Sequence, residues 1–421
     1  MHKILPLYAT LVLALLLRFL SFHPQTSHFP GQEISLTTTL FTQPQISGKN
    51  QRFQTKEGIE IIAPHYPEYQ YGDKLKISGV LTVENKNSGD EGFNLLRMKQ
   101  HEVKAIFPRI EILGKEEGNW VIRNTISLRK KLMAYYQEFL PEPASSLLIG
   151  IVLGVKGDMD RELKDNLRKV GLTHVVVASG MNVMLIAGFL SGFLNLFLRR
   201  QLTLPLILAG IFFYAILAGF EPPVIRAAIM GSLAIFAQGF GRQNWGLLSL
   251  ILAGITMLLL NPLLIFDLGF QLSFLATWGL ISIRPLFEKI RIIKKVGEVP
   301  LLGESLTTTF AAQLATLPLI LANFGFYPLI SLLTNTLVLW TIPWIMGIGA
   351  LAGVIGLILK PLGQISAWVV YSLLFYFEKV ALLMAKVDFL SLQVEQFSLF
   401  FSIAYFSFLT SFLIYLAKKE T

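Results

Sequence analysis

The residues best equipped for chemistry crowd into one stretch, GVKGDMDRELKDNLRKVGLTH, which runs directly into VVVASGMNVMLIAG. His174, Ser179, Gly180 and Asn182 fall within it. Nucleophilic catalysis at Ser179 requires a general base within hydrogen-bond reach. His174 lies five residues back, off the helical face, and no GxSxG elbow surrounds the serine. The hydrolase reading is therefore disfavoured against a Ser-Gly helix contact with a capping asparagine. Further along, EPPVIRAAIM places Arg226 near the end of an otherwise apolar helix, either to snorkel or to hold an anion or pair with Glu221 or Asp267. NPLLIFDLGFQLSFLATWGL carries Asp267, Gln271, Ser273 and Thr277 on related turns; Gln313 and Thr316 precede Pro318, and Asn335 precedes Pro343. Polar groups inside hydrocarbon are costly, so each is a functional candidate. Amides and hydroxyls on helices interrupted by Gly and Pro resemble the lining of a polar path.

Other chemistries find no support. HxHxDH, HExxH and Walker A patterns are missing, as are paired intramembrane carboxylates, and there is no cysteine. No catalytic residue, metal site or cofactor is expected.

The elements that must position these residues follow from composition. Of 421 residues, 53% are hydrophobic and 15% charged, which excludes soluble globular and disordered classes. A bilayer core of about 30 Å needs roughly 20 apolar residues per helix. Ten spans are expected, at 4–22, 176–198, 203–220, 223–240, 246–260, 264–283, 306–322, 329–358, 363–385 and 396–417. The first is read as an uncleaved anchor. Leu128 to Leu140 is amphipathic and Ser145 to Val155 apolar but short; both are expected on the membrane surface or as re-entrant segments. Arg199 and Arg200, Arg242, the basic run from Arg284 to Lys295, Lys360, and Lys418 with Lys419 mark every second connection. That bias places both termini in the cytoplasm and residues 23–175 outside it. Pro343 is the point at which the span 329–358 could divide.

Residues 23–125 hold twelve Lys/Arg and twelve Asp/Glu, so this insert is neutral and the net charge of +9 belongs to the remainder. Alternating runs at 34–41, 51–55, 59–63, 75–83 and 103–113, separated by turn residues, fit a small β-barrel of the OB type or a generic β-domain equally well. A shared face of Arg52, Phe53, Lys74, Lys76, Lys104 and Phe107 would suit single-stranded nucleic acid. The domain reading is an anchor at 1–22, a β-domain at 23–125, amphipathic or re-entrant helices at 126–155 and a membrane domain at 156–421.

Several fragments in order carry a family likeness: YGDKLKISGVL with GFNLLRMKQHEVKAIFP, the run LLIGIVLGVKGDMDRELKDNLRKVGLTHVVVASGMNV, Arg226-Ala227-Ala228, Asn261-Pro262, Asp267 with GFQLSF, Gln313 with Thr316-Leu317-Pro318, Phe324 and Asn335. With them the chain resembles the ComEC family of competence proteins, inner-membrane channels for single-stranded DNA in natural transformation. The resemblance implies an OB-type domain outside the membrane, a channel lined by the polar residues above, and DNA receptor, pilus and cytoplasmic helicase partners. Family members most often have His where this chain has Asn182, so a hydrogen-bonding role there survives and a protonation role does not. Larger members carry a metallo-β-lactamase-like domain, and this chain ends at Thr421. The expectation is a non-enzymatic channel module: a nuclease, where one is needed, comes as a separate polypeptide, or this member does something narrower. Arg161, Lys164, Arg168 and Lys169 could gather DNA at the mouth or bind anionic lipid headgroups. The alternative function is a permease or lipid-handling protein for a small anion.

Overall fold

The computed structural model describes residues 31–47, 50–55, 59–83, 103–115, 118–155, 159–239, 241, 245–287, 303–387, 391–394 and 399–418. The expected span at 4–22 and Arg242 lie outside these residues, as does the run from Lys289 to Lys295. The chain divides into two compact units, Met1–Lys131 and Leu132–Thr421.

The first unit is a mixed sheet of β1 (Glu33–Thr39), β2 (Gln45–Ser47), β3 (Asn50–Gln54), β4 (Glu60–Pro64), β5 (Lys74–Val83), β6 (Val103–Ile106) and β7 (Arg109–Gly114). The strand order is β1-β5-β6-β4-β3-β2, with β7 also on β5. The β4–β6 pair is parallel and the other ladders antiparallel. Strand alternation buries Phe53, Ile61, Leu75, Ile77, Leu81 and Ala105 in one core. The expected strand at 103–113 is two strands, because the backbone turns at Phe107 (φ 51°) and Pro108. β5 changes partner there: its Leu81–Val83 end pairs with β6 and its Lys74–Ser78 end with β7. Gly79 marks the change, since a Cβ there would stand 2.9 Å from the Pro108 Cβ. Buried Gln51 fastens the following loop, donating to the carbonyls of Pro64, His65 and Pro67 and accepting from the Tyr69 N–H. Burial of Tyr69 raises its phenol above the usual value of 10.0.

Helix α1 (Trp120–Phe139) begins eight residues before the expected amphipathic segment, where Asn119 accepts from the Val121 N–H at 2.8 Å as an N-cap. The remaining helices are α2 (Ala144–Leu153), α3 (Arg161–Lys169), α4 (Thr173–Val176), α5 (Gly180–Leu194), α6 (Arg200–Leu217), α7 (Pro222–Gly239), α8 (Gly246–Leu260), α9 (Leu268–Trp278), α10 (Arg284–Phe287), α11 (Gly303–Phe324), α12 (Ser331–Val338), α13 (Ile342–Ile358), α14 (Lys360–Ala385) and α15 (Leu399–Lys418). Strands β8 (Phe326–Pro328) and β9 (Ser391–Gln393) form a two-stranded ladder.

Among the described residues, four helical stretches are long and apolar enough to cross a membrane: Arg200–Leu217, Ser305–Phe324, Ser331–Ile358 and Lys360–Ala385. Shorter apolar helices are Ala144–Leu153, Gly180–Leu194, Gly246–Leu260 and Phe400–Leu413. The short apolar segment expected at Ser145 to Val155 is the helix α2, packed inside the helical unit. Every residue of α2 is buried: from Leu147 onward it is apolar on all sides and has no face to give to water, and the Ser145 and Ser146 hydroxyls are satisfied by Glu142 and the Pro143 carbonyl. α2 packs on α13, where Gly349 admits Leu148 and Val152. Gly353 likewise admits Tyr136, whose hydroxyl donates to the Gly349 carbonyl at 2.9 Å. The stretch expected at 329–358 is helical from Ser331 to Ile358, tightened to a 3₁₀ turn at Leu339–Thr341 just before Pro343. That expected at 264–283 is three pieces, a 3₁₀ turn (Pro262–Phe266), α9, and a π-helical stretch (Gly279–Ile283).

Candidate substrate path

The polar residues of the helical unit gather into two groups, and no hydrogen bond among the described residues joins one group to the other. The first forms where α5, α6 and α7 pack together. The chain leaves α4, runs extended at Val177 and Ser179, and enters α5 at Gly180. Two glycines let α2 press against this bend: a Cβ on Gly150 would strike the Val176 carbonyl, and one on Gly154 the Ala178 methyl. Asn182, fully buried, then donates to the Ile151 carbonyl at 3.0 Å and accepts from the Ser179 hydroxyl at 3.0 Å. Arg226 of α7 is 8% exposed and reaches the start of α5, its Nη2 2.7 Å from where a Gly180 Cβ would stand. Neither Glu221 nor Asp267 forms an ion pair with it, which corrects that part of the expectation, and its Nε has no partner among the described residues. Asp267 caps α9 instead, accepting from the Phe270 N–H at 2.7 Å. The buried Tyr214 hydroxyl lies toward Asn182 without a hydrogen bond of acceptable geometry. His174 is exposed, and among the described residues the Ser179 hydroxyl is bonded to Asn182, with no hydrogen bond to His174.

The second group joins α11 to α12. Gln313 donates to the Ser331 hydroxyl at 2.7 Å, and Ser331 donates to the Pro328 carbonyl. Asn335, 3% exposed, leaves its Oδ1 without a donor, while Thr316 bonds back to the Ala312 carbonyl. Ser331 packs on Gly171 (φ 72°), the turn that ends α3. The α3 side chain of Arg168 stands 5.8 Å over the Phe324 ring of α11. Arg161, Lys164 and Arg168 share a helical face and are exposed, with Lys169 exposed beside them. Another side of α3 meets an acidic cleft lined by Glu142, Asp160, Glu162 and Glu378. On α9, Gln271 donates to the Ile265 carbonyl at 2.7 Å, and the Ser273 hydroxyl is buried without a partner.

In the β-unit the expected shared basic and aromatic face is corrected. Arg52 is exposed, whereas Phe53, the next residue, points to the opposite side, 4% exposed and edge-on to Tyr69. Lys76 is exposed beside its register partner Glu111, so charge on this face is offset. Lys74 is half-buried. Phe107 is exposed.

Sequence reasoning missed Tyr214, Ser331 and the Ile151 carbonyl. The rule that marked Arg226, a polar group within an apolar helix, also marks Tyr214. The Gly150-x-x-x-Gly154 spacing announces the close approach of α2. Among the described residues no group of three or more His, Asp or Glu is placed to hold a metal.

A bundle of apolar helices with polar side chains sealed inside it, preceded by a small β-sheet unit, defines an α-helical membrane protein. Residues 151–419 match the competence protein family, and the chain belongs to it. It is 28% identical over 231 residues to ComE operon protein 3 of Bacillus subtilis, covering 55% of this chain and 29% of that protein. It is 30% identical over 210 residues to competence protein ComA of Neisseria gonorrhoeae, covering 47% and 28%, and 27% identical over 250 residues to the uncharacterised YcaI of Escherichia coli, covering 55% and 31%. The chain thus spans under a third of the length of these relatives. No solved structure matches it significantly.

Proposed function

We propose that this chain is the membrane module of a DNA-uptake channel, passing single-stranded DNA across the cytoplasmic membrane without itself catalysing a reaction. The observation that carries the reading is a set of buried polar atoms with no protein partner among the described residues of the helical unit, on Tyr135, Tyr214, Arg226, Ser273 and Asn335, each on a different helix of an otherwise apolar bundle. Such atoms cost stability in a closed core. In a path that takes a hydrated polyanion they serve as interchangeable contacts, too sparse to hold it fast. Family membership and the names of the relatives support DNA as that polyanion.

On this reading the bundle crosses the membrane ten times with both termini cytoplasmic. The β-unit is an OB-type domain on the outer side, an assignment supported by its mixed sheet with non-sequential neighbours. A DNA receptor, pilus and helicase deliver and draw the strand. The exposed face of Arg161, Lys164 and Arg168 meets phosphates or anionic lipid at the mouth.

The test deletes the gene and follows labelled duplex DNA into the cell. DNA that accumulates outside the membrane and never reaches the cytoplasm supports the channel. Unchanged cytoplasmic entry refutes it and transfers the scaffold to a small anionic substrate.

A further inference from the structure

The start of α5 is a helix terminus without a cap. Its first N–H groups, on Gly180, Met181 and Asn182, find no acceptor among the described residues. Ser179 stands in the N-cap position, where a serine normally accepts from the first turn, but it spends its hydroxyl on Asn182. The helix is fifteen residues long, so its positive end is fully developed.

A second, independent observation lies on another helix. The guanidinium of Arg226 is nine-tenths buried, its Nε is unpartnered, and its Nη2 lies over Gly180. No carboxylate among the described residues pairs with it. Asp267, a candidate for that role from the sequence, is committed to capping α9. Two positive features therefore lie side by side at Gly180, where no Cβ intervenes, and among the described residues no carboxylate is bonded to either. Ser179, Gly180 and Met181 remain partly exposed, so this helix start can be reached from outside the bundle. The bend is held in place by Asn182 on the Ile151 carbonyl and by the Gly150 and Gly154 contacts.

We infer that the first turn of α5 and Arg226 together form a binding site for one tetrahedral oxyanion, a phosphate group. The helix supplies convergent backbone N–H donors and the arginine a planar pair of donors, the two standard means of seating a phosphate. The identification of that phosphate as a phosphodiester of the passing strand rests on the DNA-uptake reading; the site itself does not. One such cradle grips a single link of the backbone and lets it go, as a channel requires.

The experiment uses the full chain purified in an uncharged detergent. Its probes are inorganic phosphate, a fluorescent twelve-residue thymidine oligonucleotide, the same oligonucleotide with uncharged methylphosphonate links, and vesicles containing phosphatidylglycerol. Arg226→Gln removes the charge. Gly180→Ala keeps the arginine and favours the helix, but sets a methyl 2.7 Å from Nη2 and pushes the guanidinium off the terminus. In wild type, inorganic phosphate raises the thermal midpoint and competes with the oligonucleotide. Each variant loses the phosphate effect and binds the oligonucleotide about tenfold more weakly. In Arg226→Gln the salt dependence also falls by about one phosphate contact. Should Arg226→Gln not fold, Gly180→Ala decides alone. Phosphate stabilisation and oligonucleotide affinity unchanged in Gly180→Ala overturn the site. Phosphate binding that the variants lose, without any oligonucleotide binding in wild type, upholds the site and refutes DNA as its source. The same holds where phosphatidylglycerol vesicles compete and the methylphosphonate strand binds as well as the natural one, which assigns the site to a lipid headgroup.

Discussion

Asn182→Leu is the most direct probe of how the α5 bend is held. Asn182 is fully buried and carries two bonds, to the Ile151 carbonyl and from the Ser179 hydroxyl, each 3.0 Å. Ile151 lies in the last turn of α2, where carbonyls have run out of helical N–H partners, so Asn182 serves as a cap supplied by another helix. Leucine fills a similar volume and removes both bonds. The stranded carbonyl is the expensive term, about 1–3 kcal/mol for a buried unsatisfied acceptor. Hydrogen bonds inside membrane bundles fall at the low end, about 0.6 on average and about 1.7 at most. The Ser179 hydroxyl is partly exposed and can turn elsewhere, so Ser179→Ala alone costs less than about 1 kcal/mol. Asn182→Leu should therefore cost about 1–2 kcal/mol. Asn182→His, which retains a ring donor, should fall between it and wild type. Equilibrium unfolding in mixed micelles, titrated with a denaturing detergent, reads these differences, and the double variant reads the Ser179–Asn182 coupling. An Asn182→Leu protein within about 0.3 kcal/mol of wild type, inside the noise of additivity, would show that the bend is held by packing alone and refute this account.

Two further perturbations separate structural from substrate-facing roles. Phe53→Ala in the β-unit should cost about 3–5 kcal/mol by emptying the core beside Tyr69, whereas Arg52→Ala, on the exposed side of the same strand, should leave the melting curve unchanged within about 0.5 kcal/mol. Asp267→Ala removes the cap of α9 and should lower stability by about 0.5–2 kcal/mol, with Asp267→Ser recovering most of it. An Asp267→Ala protein of wild-type stability that fails in uptake would return Asp267 to the substrate path.

The sequence disclosed the class of the fold because both signals that carry it are periodic. Apolar runs of membrane length mark the helices, and two-residue alternation places β1, β3, β4 and β5 within a residue or two of their positions. It disclosed the polar residues one at a time, since cost in hydrocarbon is a property of each residue. It could not disclose who meets whom. Asp267 and Arg226 are drawn together by charge in a one-dimensional reading, yet the nearest unsatisfied donor to Asp267 is the α9 backbone three residues ahead, and a local cap outcompetes a distant ion pair. Arg52 and Phe53 share a basic and aromatic composition but not a face, because strand geometry separates adjacent residues. The role of Gly180 is invisible in sequence for a different reason: it depends on a side chain 46 positions later in the numbering, Arg226, folding back over it.

The placement of unsatisfied atoms distinguishes a path from a merely imperfect core. Packing defects in a membrane bundle would leave hydroxyls bonded to the preceding turn of their own helices, as Thr316, Thr334, Thr336 and Thr277 are. Those residues are buried or partly buried polar groups that the helix itself satisfies, and they need no ligand. Arg226, Tyr214, Ser273 and Asn335 differ because a polar atom of each is sealed from solvent with no bond to backbone or neighbour. A guanidinium cannot be quieted by its own helix carbonyls, which already serve the helical ladder, nor can it shed its proton as a lysine would. Its retention in an apolar bundle without a carboxylate leaves an anion as the group whose arrival lowers the energy of the site. The N-terminus of α5, uncapped and beside the same guanidinium, takes the same partner. Two independent deficits with one remedy make the α5–α7 contact the place where substrate, rather than protein, completes the structure.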